Sequence, residues 1–451
     1  MSIARPLIAS SIALLILGAG ACGSLPKDVE TDPAVRSQTA PREEWEDKIT
    51  ENSKQMLEDG KKIFRWDTFG SEAFWGGQLQ LHKAIVGEKK GGIGPGLTPR
   101  QALQLGLKAD VGAVPKLLVE VLKEGGVSLD NPETTLELLR AGAVVGVKAI
   151  VDNDNNVTSI GITCALCHST VDDSFVKGIG RRLDGWPNRD LNVGAIVALA
   201  PNLQPIEQLL GADTAKVKAV LSSWGPGKYD AELNFDGKGL RSDGKSGATV
   251  LPAAFGLAGQ NLHTYGGWGS IPYWNAYVAN TQMYGKGTFV DRRLGIEQFP
   301  LTSKTGFANK RSNPDMVTSK LAALHYYQLS IPAPKPPKDS YDAQAATRGQ
   351  AVFVGKAKCA SCHVPPLFSE PGWPMHTAEE IGIDDFQANR SPDKMYRTTP
   401  LAGLFTRAKG GFYHDGRFAD LNAVVTHYQG VLKFSLSDDE RHDLIEYLKS
   451  I

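Results

Sequence analysis

The sequence predicts a mainly α-helical protein with one small β-hairpin. Three observations lead there: a Cys-x-x-Cys-His motif at Cys164–His168, a second at Cys359–His363, and helical periodicity in several of the segments around them. The 451 residues are too many for one small domain and suit two or three. Hydrophobic residues make up 41% and charged residues 22%, enough apolar material for a proper core. Lys plus Arg and Asp plus Glu number 49 each, so no excess of positive charge draws nucleic acid or anionic lipid. The 48 Gly and 26 Pro are scattered, which predicts many turns and long loops rather than a low-complexity tract.

In chain order, residues 1–21 read as a secretion signal. Arg5 supplies the positive start, Leu7–Leu17 a short apolar stretch, and Gly18–Ala21 the small residues of a cleavage site. The apolar run falls short of the roughly 20 residues that span a bilayer. Ala19-Gly20-Ala21 suits ordinary release, whereas Cys22 directly after it resembles a lipoprotein box with Ala19 in place of the usual Leu. The other four cysteines are used in pairs, so lipidation would account for the fifth. The expected location is the periplasm or cell envelope, with membrane attachment through Cys22 left open. Residues 22–60 form a polar tether whose second half looks helical. Gln101–Leu107, Val114–Leu122 and Thr135–Leu139 carry helical periodicity, and Asp130 or Asn131 ahead of Pro132-Glu133 caps the last. Phe64 to Trp75 contains an aromatic cluster that would line a pocket or, more simply, a core.

Ala143–Val151 and Val157–Thr163 are rich in β-branched residues and read as a hairpin closed by Asp152–Asn156. Asp152-x-Asp154-x-Asn156 faintly looks like a calcium loop but lacks its Gly and its distant Glu, so a turn is the expectation. The proline-rich stretch Ile331–Asp339 reads as a linker. It separates an N-terminal unit, 61–335, from a C-terminal one, 336–451, which opens with a helix at Ala345–Val354 and closes with another at Asp438–Ile451.

The two motifs carry the chemistry. Cysteines three residues apart share one side of a helical turn, so both reach the two vinyl groups of one porphyrin. The following His then projects toward the iron. A zinc site would want its ligands in close pairs, but these pairs stand 195 residues apart, each with its own His. A thioredoxin-like pair needs no His after it. The reading is two covalently bound haem c groups, on Cys164 and Cys167 and on Cys359 and Cys362, with His168 and His363 as iron ligands. The fold is then two cytochrome c-like haem domains with an N-terminal extension.

Arg348-Gly349, Cys359–His363, Tyr396–Leu401, His414–Phe418, Leu421 and Val424 together resemble the C-terminal haem domain of bacterial di-haem cytochrome c peroxidases. That superfamily includes the maturation enzyme of methylamine dehydrogenase, and di-haem rubber oxygenases are distantly similar. The resemblance is clear over about 340–451 and loose over 160–335, and it does not extend to 60–160. It implies an electron-transfer haem at His363 and a reactive haem at His168. Where the peroxidases carry a Met ligand, this chain has Tyr428 preceded by His427; either would lower the potential. The aromatic between the haems would be Trp268, with Trp274 in reserve. The distal carboxylate would be Asp315, which would move a proton between the oxygens of peroxide. The loop histidine expected at 169–200 is absent, which leaves the first iron open unless His263 or Met283 binds it. His325 and His442 read as structural. The implied function is an exported oxidoreductase that reduces hydrogen peroxide with electrons from a small redox protein. The alternatives are a plain electron carrier, and an oxygenase or protein-modifying enzyme.

Overall fold

The computed structural model describes residues 42–114, 119–120 and 128–451. The signal segment, Cys22 and most of the helix expected at Val114–Leu122 lie outside the described residues. Contacts group the chain into Met1–Asn52 and Ser53–Ile451. The described part of the first is the beginning of the helix Arg42–Trp66, where Lys48 and Glu44 pair at 2.8 Å across one turn. Residues 42–60, expected within a tether, are therefore helical. Their Glu, Lys, Gln and Met favour helix, and i,i+4 pairs add a little more. No helix among the described residues is long and apolar enough to cross a membrane.

The larger unit is helix-rich, with five two-stranded sheets among the described residues. Pro132–Arg140 is a helix capped by the Asn131 side chain on the Glu133 N–H. The helix expected at Gln101–Leu107 starts two residues earlier, at Pro99, because Thr98 and Gln101 form a capping box. The hairpin forms between Val147–Val151 and Val157–Ile162. Residues 143–146 do not join it. Gly146 turns there at φ +78°, and a Cβ on it would fall 2.1 Å from the Leu166 Cα, so only glycine lets the hairpin lie against the first Cys-x-x-Cys-His turn. Asp152 closes the hairpin by accepting from the N–H groups of Asp154 and Asn156 at 3.0 and 2.8 Å, the turn expected there.

Hydrophobic packing follows the proline-rich linker. One cluster, with Phe353, Phe412, Val425, Leu444 and Tyr447, draws all its members from after residue 340. The other three are built entirely from residues before 330. In the C-terminal part the helices Ala343–Val354 and Asp438–Ser450 pack at Gly349, where a Cβ would meet the Asp443 carbonyl oxygen at 1.9 Å. Arg348 beside it forks onto the Asp443 carboxylate at 2.7 and 2.8 Å.

The parts before and after the linker meet at a buried charge. Arg390 is fully buried and pairs with Asp230 at 2.8 Å and Asp236 at 2.7 Å. Its Nη1 also donates to the Gly247 carbonyl at 3.0 Å. Arg390→Ala strands these carboxylates without their cation. The expected loss is about 3–5 kcal/mol of unfolding free energy, measured by urea titration of the purified protein; a loss below about 1 kcal/mol would show the pair to be dispensable.

Candidate functional site

Each Cys-x-x-Cys-His motif borders a cavity of its own. The first cavity, about 280 Å³, is edged by Cys164, Cys167 and His168. The second, about 320 Å³, is edged by Cys359, Cys362 and His363. The local fold explains the placement. Ala165–His168 is one helical turn, and the His168 N–H closes onto the Cys164 carbonyl at 3.2 Å. At the second motif the His363 N–H bonds to the Cys359 carbonyl at 2.9 Å. A single turn thus sets both cysteines and the His on one edge.

The two histidines are tied alike. His168 donates from Nδ1 to the Pro252 carbonyl at 3.1 Å, and His363 from Nδ1 to the Phe368 carbonyl at 3.0 Å. A carbonyl can only accept, so the proton sits on Nδ1 and the Nε2 lone pair is left to bind a metal. Burial lowers the pKa of both imidazoles, which keeps them neutral as ligands require. Burial also pushes the Cys164 and Cys167 thiols up to about 12 and the Cys359 thiol to about 11. These thiols lie in apolar surroundings, which suits structural rather than reactive cysteines. Neutral sulfur at a cavity edge beside an imidazole with a free Nε2 fits an iron porphyrin joined by thioether links. Cys362 also falls within 4.8 Å of Glu370 and His376. There, however, Glu370 accepts from His376 at 2.7 Å and from Thr398 at 2.5 Å, and the arrangement leaves Cys359 and His363 unused.

The structure sorts the other expected residues. Tyr428 lines the second cavity; His427 does not, and hydrogen-bonds the Ile381 carbonyl at 2.8 Å through Nε2. Both are on the helix Leu421–Leu432, where consecutive residues diverge by about 100°, so one facing the cavity turns the other away. Trp268 lies behind the first cavity in an aromatic cluster with Tyr273, Trp274 and Tyr277. Trp274 reaches the cavity wall instead. Asp315 borders neither cavity. Its carboxylate caps a turn through the N–H groups of Val317 and Thr318 at 2.8 and 2.9 Å and the Thr318 hydroxyl at 2.6 Å, bonds that hold it well below the usual carboxylate range against the cost of burial. His263 and Met283 both line the first cavity and are buried. Burial takes His263 down to about 3, so it is neutral. His325 is half-buried and His442 exposed, and neither borders a cavity.

Two features escaped the sequence reading. The first is Glu232, buried at the wall of the first cavity, with Oε2 lacking a hydrogen-bond partner. Burial raises its pKa to about 7; Arg390 opposes this, and Asp230 and Asp236 add to it. Three acids thus share one cation. Nothing local in Asp230-Ala-Glu232-Leu-Asn-Phe-Asp236 announces this, because Arg390 and Gln387 arrive from 150 residues further along the chain. The second is Tyr265, which lines both cavities, as do Arg397, Thr399 and Arg407.

No protein-family profile matches the chain. Among curated proteins it is 30% identical over 153 residues to methylamine utilization protein MauG of Methylorubrum extorquens, covering 29% of this chain and 43% of that protein. The chain thus spans less than half the length of the curated relative it matches. Among solved structures it aligns with a MauG-like protein associated with microbial copper homeostasis, at 17% identity and TM-score 0.31, over 47% of this chain and 75% of the other. It also aligns with the diheme peroxidase BthA of Burkholderia thailandensis, at 15% identity and TM-score 0.31, over 51% and 78%.

Glu232 links the site to stability. Its pKa rises from an unfolded value of about 4.3 to about 7 on folding, so the folded state holds the extra proton between these values. Its contribution is therefore fully present below about pH 4 and fades as the pH rises, until above about pH 7 the buried charge costs its full amount. Glu232→Gln should flatten that part of the decline when unfolding is measured by urea at about pH 5, 6 and 8. An unchanged slope would mean the carboxyl titrates as it does in water.

Proposed function

We propose, from its 30% identity over 153 residues to methylamine utilization protein MauG, that this chain is an exported di-haem c-type oxidoreductase of the peroxidase kind, of the di-haem cytochrome c peroxidase and methylamine dehydrogenase maturation superfamily. The observation that carries the reading is the pairing of each Cys-x-x-Cys-His motif with its own cavity. Cys164 and Cys167 would attach one haem, with His168 on the iron. Cys359 and Cys362 would attach the other, with His363. When bound, an iron porphyrin supplies one-electron transfer and the reductive cleavage of a peroxide bond. The clusters that part at the linker support two haem domains, 61–335 and 336–451. Export fits the signal-like N-terminus, with Cys22 open to lipidation.

The reactive side is assigned to the first cavity because an acid–base group stands there. Glu232, with a pKa near 7, holds a proton and can release it within the working range, as a general acid must. It takes the part first expected of Asp315. Trp274 and Tyr265 are among the aromatics that line the first cavity, with Trp75, Tyr229 and Phe255, whereas Trp268 does not reach it. In the second cavity Tyr428 is the candidate second ligand, which would favour a low-potential centre. The electron donor would be a small redox protein and the oxidant hydrogen peroxide.

A second reading has one observation behind it. His263 and Met283 reach the first cavity, and either bound to the iron would leave a pure electron carrier. A high-spin signal in the oxidised protein favours the enzyme, and two low-spin signals favour the carrier.

The reading requires two covalent haems. Mass spectrometry and the pyridine haemochrome assay should find two per chain, and one in a Cys164→Ala/Cys167→Ala variant. Acid-acetone extraction that removes all pigment would overturn it. Glu232→Gln should slow peroxide reduction by about 10²–10⁴-fold and abolish the fall in rate above about pH 7, whereas Asp315→Asn should leave the rate within about twofold. The reverse pattern would return the acid–base role to Asp315.

A further inference from the structure

Arg189, Arg397 and Arg407 stand together around Tyr265. Arg397 and Arg407 border both cavities, and Arg189 borders the second. Among the described residues none of the three forms an ion pair with a carboxylate, although the other buried guanidiniums do: Arg390 on Asp230 and Asp236, and Arg182 on Asp110 at 3.0 Å. The titratable groups beside the three are one another, the Tyr265 phenol, which burial keeps neutral, and the His263 and His363 imidazoles.

Backbone carbonyls satisfy only part of their donor capacity. Arg397 donates from Nε to the Thr264 carbonyl at 3.0 Å, and from Nη1 to the Gln260 side chain at 2.9 Å and to the Leu262 carbonyl. Arg407 donates to the carbonyls of Pro400 and, at 3.2 Å, Ala402. Arg189 donates to the Lys409 carbonyl over a long 3.5 Å and also hydrogen-bonds the Tyr265 hydroxyl. Among the described residues, the Nε atoms of Arg189 and Arg407 are buried without a hydrogen-bond partner, in residues only 6% and 9% exposed. Burial lowers the pKa of Arg397 to about 9 and of Arg407 to about 10, in keeping with charges that no carboxylate balances. Three like charges with idle donors between two cavities are costly unless an anion joins them.

We propose that Arg189, Arg397 and Arg407 form a carboxylate-binding partition that receives the acidic edges of the groups held in the two cavities. This rests on the di-haem reading above. A porphyrin of this class carries two carboxylate side chains, and a guanidinium fork matches a carboxylate in shape as well as charge. The partition anchors the porphyrins at the edge away from the thioether links. Because Arg397 and Arg407 border both cavities, they also couple the charge of one iron to the other.

The test is spectroelectrochemical titration of the full-length holoprotein. A nearby positive charge favours the reduced iron, so removing it lowers the potential. Arg397→Gln and Arg407→Gln should each lower the midpoint potentials of both haems, while Arg397→Lys and Arg407→Lys, which keep the charge, should leave them close to wild type. Arg189→Gln should lower chiefly the potential of the haem on His363. Unchanged potentials in the Gln variants, or a shift at only one haem for Arg397 and Arg407, would overturn the proposal. Should a Gln variant fail to accumulate with haem, the Lys variants decide through resonance Raman spectra. Their propionate-bending bands should move, because an ammonium cannot make the forked contact, and bands at the wild-type position would overturn the proposal. A wild-type chain without two covalent haems removes the functional reading itself; two haems with unmoved potentials and bands remove only this inference.

Discussion

Two imidazoles, each held through Nδ1 by a main-chain carbonyl, set the frame on which the rest of this structure depends. The bond fixes the ring orientation and the tautomer, and so decides which nitrogen is free to act as a ligand. The carbonyls come from different settings, Pro252 far along the chain for His168 and Phe368 only five residues on for His363. The first motif is therefore held by long-range packing and the second largely by its own loop. Gly146 serves the first arrangement, since its backbone lies directly on the motif turn.

The first cavity combines an apolar lining with one deliberate imbalance of charge. Arg390 balances Asp230 and Asp236 by direct contact, and Glu232 is the third acid, without an ion pair of its own. A carboxyl in that position is held near a pKa of about 7, with burial and its acidic neighbours raising it and the guanidinium lowering it. The same network ties residues on both sides of the proline-rich linker, so the group suited to proton transfer is also part of what holds the two halves in register.

Between the cavities the imbalance has the opposite sign. Arginines without carboxylates surround a tyrosine that touches both spaces. The protein thus presents acid at one wall of the first cavity and cation at the partition, an arrangement that gives any group bound there a defined orientation.

Much of this was legible in sequence. The Cys-x-x-Cys-His spacing is local, and one helical turn is enough to bring its side chains to one edge. The Asn131 cap, the hairpin at 147–162, the terminal helices and the linker that divides the hydrophobic clusters are also local patterns. Sequence brought Tyr428 and His427 forward as a pair, and helix phase separated them. The resemblance offered Asp315, but that carboxylate caps its own turn and borders neither cavity. Glu232, Arg189 and Arg407 had no local signature, and Arg397 stood in the Tyr396–Leu401 segment without any sign of its role. Their significance comes from burial and from the groups that tertiary folding sets beside them, such as Thr264 beside Arg397 and Arg390 near Glu232, which meet only once the chain has closed on itself.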